Sequence, residues 1–217
     1  MKAAAAAAVA LGLATGPAAG CDIALLLTMD VSGSVDAGEY RMQADGLAAA
    51  LADPAIVDVL VEGRAALAVM QWSGVAQQAL VVPWRRIAGP DDAARLAGEV
   101  QRMERVYYAS DTAVGDAIAF AAGRFGPVAD CRRHVIDISG DGAANAGRPT
   151  GAARQAAARA GIEINAVAIE GIGVAITEFF RRAAITRGGF VLTARGHIDY
   201  ARAIRDKLFR ELVRPSG

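Results

Sequence analysis

Six short apolar runs constrain this chain more than any other feature. They read "IALLLTM" (23–29), "AALAVMQW" (65–72), "QQALVVPW" (77–84), "HVIDIS" (134–139), "EINAVAI" (163–169) and "GFVLT" (189–193), each bounded by Gly, Pro or polar residues. Continuous apolar runs of this length suit strands buried on both faces, as in a parallel sheet. The third follows the second after only "SGVA", which suits an antiparallel hairpin and not a crossover. Helical patterns fill the other gaps. We expect helices over 37–51, stopped by Asp53-Pro54, and over 91–103, opened by Pro90. Further ones are expected over 112–124, 150–160, 177–186 and 199–213. Strands alternating with helices define an α/β fold, a doubly wound, mostly parallel six-stranded sheet with helices on both faces and one antiparallel edge strand.

The chain has 217 residues, which suits one domain, and it is 54% hydrophobic. Lys+Arg and Asp+Glu balance at 23 each, so no basic footprint for nucleic acid exists. Residues 1–20 read as a signal peptide. Met1-Lys2 is a minimal positive start, 3–14 is apolar, and small residues follow. The domain then spans 21–217, and its expected location is periplasmic or secreted. No apolar stretch beyond the N-terminus is long enough to span a membrane. Cys21 also stands where a lipoprotein would be modified, but Ala18 occupies the place of the usual larger aliphatic. The two cysteines, Cys21 and Cys131, permit one disulfide in an exported chain, or stay as two buried thiols.

The carboxyl ends of the strands carry the chemistry, as doubly wound sheets require. The first strand delivers "DVSGS", Asp30, Ser32 and Ser34. Asp141 follows the "HVIDIS" strand, and Thr112 opens a helix from a loop expected at the same edge. Two carboxylates and three hydroxyls form an all-oxygen set, which hard divalent cations prefer. Residues i and i+2 point the same way while the chain is extended, and Gly33 lets it turn beside an ion. Each piece has a plainer alternative. Ser34 or Asp36 caps the following helix, Thr112 is an N-cap with Asp116 a solvated first-turn acid, and Asp141-Gly142 is a turn. His134 and His197, the only histidines, are too few for a zinc site or a His-based triad. Neither a G-x-S-x-G elbow nor a complete phosphate-binding loop is present. Asp137 lies inside a strand and needs a partner, for which Arg132 and Arg133 are candidates. Trp72 and Trp84 flank the hairpin as packing anchors.

Asp30-x-Ser32-x-Ser34, the lone Thr112 and the later Asp141 resemble the metal-ion-dependent adhesion site of von Willebrand factor type A domains. "WSG", "VVPW", "HVIDISGDGAANAGRP", "INAVAI" and "RDKLFREL" resemble a narrower bacterial group, the domain of unknown function 1194. The resemblance implies sheet order 3-2-1-4-5-6. It also implies Mg²⁺ (or Mn²⁺) held by Asp30, Ser32, Ser34, Thr112 and Asp141, with an open position for an exposed Asp or Glu of a partner protein. A binding module is therefore expected, not an enzyme. The rivals are a Mg²⁺-dependent hydrolase or phosphotransferase and a metal-free structural domain. Two details depart from the group. "GAANAG" offers only Asn145, and Asp111 stands where Gly is more usual. In the implied order the first and fourth strands are parallel neighbours. Cys21 and Cys131 then share the amino edge and are expected to pair.

Overall fold

The computed structural model describes residues 20–108 and 110–213. The expected signal peptide, apart from Gly20, lies outside them. The strands are β1 (Ile23–Asp30), β2 (Ala66–Trp72), β3 (Gln78–Arg86), β4 (Arg133–Gly140), β5 (Ile162–Glu170) and β6 (Val191–Arg195). They form one sheet in the order β3-β2-β1-β4-β5-β6. All neighbours pair in parallel except β2 with β3. The helices are α1 (Ala37–Leu51), α2 (Pro54–Glu62), α3 (Pro90–Arg102), α4 (Val114–Ala122), α5 (Thr150–Arg159), α6 (Ala175–Phe179) and α7 (Tyr200–Leu212).

Side chains alternate across each strand, so a continuously apolar strand supplies two cores. In β1, Leu25, Leu27 and Met29 face Leu47 and Leu51 of α1, Ile56 and Leu60 of α2, Leu96 of α3 and Leu208 of α7. Ala24 and Leu26 face the other layer, with Ile118 of α4, Ala157 of α5 and Phe180. Trp72 is fully buried in this second layer, and Trp84 packs at its margin, donating Nε1–H to the Arg124 carbonyl.

Four local readings change. Asp53-Pro54 ends α1 and also starts α2. The Asp53 carboxylate accepts from the Ala55 N–H, and Pro54 takes the first turn, where its missing N–H costs nothing. The helix expected over 112–124 is only Val114–Ala122, because the backbone of Thr112 and Ala113 bonds to neighbouring loops. The helix expected over 177–186 starts earlier, at Ala175, and widens into a π turn at Phe180–Ala184. The sixth strand begins two residues late. Gly189 passes so close to β5 that a Cβ there would lie 2.4 Å from the Ile164 carbonyl oxygen, so pairing starts at Val191.

Asp137 is the main correction. Neither arginine neutralises it. Arg132 pairs with Asp22, and Arg133 with Glu163. Its partner is Lys207 of α7, whose Nζ lies 2.6 Å from Asp137 Oδ2 and 2.7 Å from Glu211 Oε1. All three side chains are buried. Asn165 of β5 donates to the same Glu211 oxygen at 2.9 Å.

Cys21 and Cys131 form a disulfide with Cα atoms 4.4 Å apart. It sits where β1 and β4 begin, because the registered pair Ile23–Arg133 places both cysteines at the amino edge.

Candidate metal centre

β1 ends at Asp30 in the middle of the sheet, and its next N–H, on Val31, donates to the Trp72 carbonyl. The chain then turns. Asp30 Oδ1 accepts the Ser32 N–H at 2.8 Å, a local closure that aspartate favours. The Gly33 N–H donates to the Ser110 carbonyl at 2.8 Å, and Arg105 Nη2 donates to the carbonyls of Val31 and Ser32. The loop is therefore held from both sides before α1 begins. Asp36 caps α1 with Glu39 in a reciprocal box, so Ser34 is left free of that duty.

Ser32, Ser34, Thr112 and Asp141 meet in one chain of contacts. Thr112 Oγ1 donates to Ser32 Oγ at 3.1 Å, Ser32 Oγ lies 3.3 Å from Ser34 Oγ, and Ser34 Oγ donates to Asp141 Oδ1 at 2.6 Å. Asp30, Ser32 and Thr112 are buried, Asp141 is half-buried and Ser34 is exposed, so the group opens outward on one side. Asp30 Oδ2 is buried and has no hydrogen-bond partner among the described residues. Burial raises the Asp30 pKa to about 7. The Ser32 N–H lowers it, and the charge of Asp141 raises it again. Arg105 opposes the rise only weakly and makes no ion pair with this carboxylate, and the oxygens around it are of the kind a hard cation takes.

Three supports were not legible in the sequence. Gly140 precedes Asp141, and a Cβ there would stand 3.0 Å from Asp30 Oδ2. Asn145 accepts the Thr112 N–H at 2.8 Å and returns its own N–H to the Thr112 carbonyl, so it braces the hydroxyl loop. Asp116 is not a solvated acid. It accepts from the Arg148 N–H at 2.8 Å and pairs with the Arg148 side chain, anchoring the loop that carries Asp141 and Asn145. Asp111 is exposed, and its carbonyl is within 3.4 Å of Ser73 Oγ.

Gly147 tests that anchor. It has φ +79°, and a Cβ there would lie 1.9 Å from Asp116 Oδ2. Gly147→Ala should lower stability by about 1–3 kcal/mol, the usual scale of local backbone strain. Thermal unfolding checks this, and a midpoint equal to that of the parent would show that the Asp116 contact does not hold the loop.

His197 belongs to a neighbouring group that the sequence reading passed over. One ligating atom each from Glu39, Asp141 and His197 lies within 4.8 Å of the others. The two histidines lie far apart in sequence, so a count of histidines gave no sign of it.

This fold is that of von Willebrand factor type A domains. It superposes on proximal thread matrix protein 1 of the mussel byssus, described with a zinc-occupied MIDAS motif, with TM-score 0.65 and 15% identity over 89% of this chain and 46% of that one. A von Willebrand factor type A protein from Catenulispora acidiphila gives 0.64 and 19%, over 88% and 43%. The pilus adhesin SpaC from Lactobacillus rhamnosus GG gives 0.63 and 11%, over 88% and 30%. The chain spans less than half the length of each. The chain itself belongs to the family described as Protein of unknown function (DUF1194), which matches residues 20–216. No curated protein matches it.

Proposed function

We propose that residues 21–217 form an exported binding module. Asp30, Ser32, Ser34, Thr112 and Asp141 hold Mg²⁺ or Mn²⁺, and an open coordination position takes the carboxylate of an Asp or Glu on a partner protein. The observation that carries this reading is the Asp30 carboxylate. It is wholly buried with one oxygen unpartnered, and Ser32, which bonds it, opens the chain of hydroxyls to Ser34 and Thr112. Hydroxyl ligands add no charge, so a dication beside two carboxylates is neutralised but keeps affinity for another anion.

The surface around the site supports a protein partner. Nine large apolar side chains are exposed among the described residues, and six of them lie at the carboxyl edge, Val75, Val106, Tyr108, Ile172 and Val174 on loops and Ile198 in the short 3-10 turn after β6. Scattered apolar residues are ordinary, but six of nine on the edge that carries the site favour a contact face there. The disulfide supports an extracytoplasmic location and is incompatible with lipidation of Cys21. Among the described residues no helix is long and apolar enough to cross a membrane.

A phosphotransfer enzyme is the weaker reading. The chain has two lysines, Lys2 and Lys207, and Lys207 is buried against Asp137, away from the hydroxyl group. The site would lack the lysine that phosphate-binding loops and kinases place on a transferred phosphate.

Thermal unfolding in EDTA and then in excess Mg²⁺ or Mn²⁺ tests the site. Metal at 100 times its dissociation constant stabilises by about 2.7 kcal/mol. Each kcal/mol moves the midpoint of a domain this size by roughly 2–4 °C. A rise of several degrees is expected, absent in Asp30→Ala. No shift at millimolar metal would remove the mechanism.

A further inference from the structure

Glu39, Asp141 and His197 come from three different elements. Glu39 stands in the first turn of α1, Asp141 follows β4, and His197 opens the short 3-10 turn, His197–Asp199, that leads into α7. Their ligating atoms converge within 4.8 Å. The His197 side chain is only 7% exposed, and its Nδ1 lies 3.2 Å from Glu39 Oε1. Its other nitrogen, Nε2, is buried and has no hydrogen-bond partner among the described residues. Nδ1 and Glu39 Oε1, 3.2 Å apart, are spaced as two ligands of one ion are, so a cation would bind Nδ1 in place of a shared proton.

We infer that Glu39, Asp141 and His197 form a second divalent-cation site, one that prefers Zn²⁺ to Mg²⁺. The donor set decides the preference. One nitrogen and two carboxylate oxygens suit Zn²⁺, which often keeps three protein ligands and an open fourth position. Mg²⁺ demands near-octahedral oxygen ligation and gains little from imidazole. Asp141 is common to both groups, so the two cations share one carboxylate, as paired metal sites do. The remaining ligands are separate. Ser32, Ser34 and Thr112 serve only the oxygen site, and Glu39 and His197 serve only the second.

A simple ion pair is the competing account. Glu39 already accepts the Asp36 N–H through Oε2, and the Glu39–His197 contact would then only join the start of α1 to the start of α7. That account predicts no metal-dependent role for His197.

Equilibrium dialysis of the chelator-stripped protein against Zn²⁺ or Mg²⁺, with metal counting, separates the two. The unaltered protein should take up two Zn²⁺ and one Mg²⁺. His197→Gln should lose one Zn²⁺, or bind it at least tenfold more weakly, and keep its Mg²⁺. Ser32→Ala/Ser34→Ala should lose Mg²⁺ and keep the His197-dependent Zn²⁺. Co²⁺ in place of Zn²⁺ should show visible absorption bands that His197→Gln alters. Equal Zn²⁺ stoichiometry and affinity in His197→Gln and its parent would overturn the second site. Loss of Mg²⁺ binding in the parent, with His197-dependent Zn²⁺ retained, would instead overturn the oxygen site and leave this one standing. Should His197→Gln fail to fold, Glu39→Gln carries the same expectation.

Discussion

Lys207→Ala is expected to lower the unfolding free energy by about 3–5 kcal/mol, the cost of stripping one partner from a buried ion pair. Lys207 is wholly buried between Asp137 of β4 and Glu211, one turn further along α7. Without its ammonium, two buried carboxylates face each other with only Asn165 donating to one of them. Urea unfolding measures the effect. Asp137→Asn in the Lys207→Ala background should recover part of the loss, because it removes one of the two buried acidic groups left without a cation. A Lys207→Ala change under 1 kcal/mol would mean that water or a shift of α7 rescues the carboxylates.

The same cluster makes stability depend on pH. Burial raises Asp137 to about 7. Lys207 opposes the rise and Glu211 adds to it. A group held at about 7 in the fold but near 3.8 in the unfolded chain keeps a proton that unfolding releases. Its contribution is therefore complete below about 3.8 and is lost as pH rises towards 7. Asp30 acts in the same direction, so the comparison is made in EDTA between the parent and Asp137→Asn. The variant should lose less stability between pH 4 and pH 8. An identical slope would show that Asp137 stays ionised.

Removing the disulfide is the second large effect. Cys21 and Cys131 lie 110 residues apart, and the bond closes a loop holding three of the six strands and four of the helices. Chain-entropy arguments give about 4.7 kcal/mol for a loop of roughly 100 residues, and measured losses run at about 2–5 kcal/mol. Cys21→Ala/Cys131→Ala should therefore unfold at clearly lower urea than the oxidised parent. Matching midpoints would indicate an unfolded state already compact enough to gain nothing from the bond.

Much of the sheet was legible because period and length speak directly. "IALLLTM" between polar boundaries can hardly be anything but a central strand, and "SGVA" is too short for a crossover. α2 was not legible. "PAIVDVLVE" is apolar almost throughout, and Asp53-Pro54 reads as a stop when it is also a start. The five oxygen residues could be named because each sits at a strand or helix boundary. Their supports could not. Asn145 and Gly140 act through contacts with Thr112 and Asp30, from which they are more than thirty residues distant. Asp137 of "HVIDIS", Asn165 of "INAVAI" and Lys207 and Glu211 of "RDKLFREL" meet in one buried network that their separation along the chain concealed.

By itself the sequence determined the class of fold, the edge of the sheet where Asp30, Ser32, Ser34, Thr112 and Asp141 gather, and the two cysteines available to pair, since periodicity and strand direction are local properties of the chain. Only the tertiary structure decided which charges meet. Lys207 went to Asp137 in preference to two nearer arginines, and His197 went to Glu39. A buried charge is satisfied by whatever folding brings within about 3–4 Å, and that choice is made by packing and not by distance along the chain.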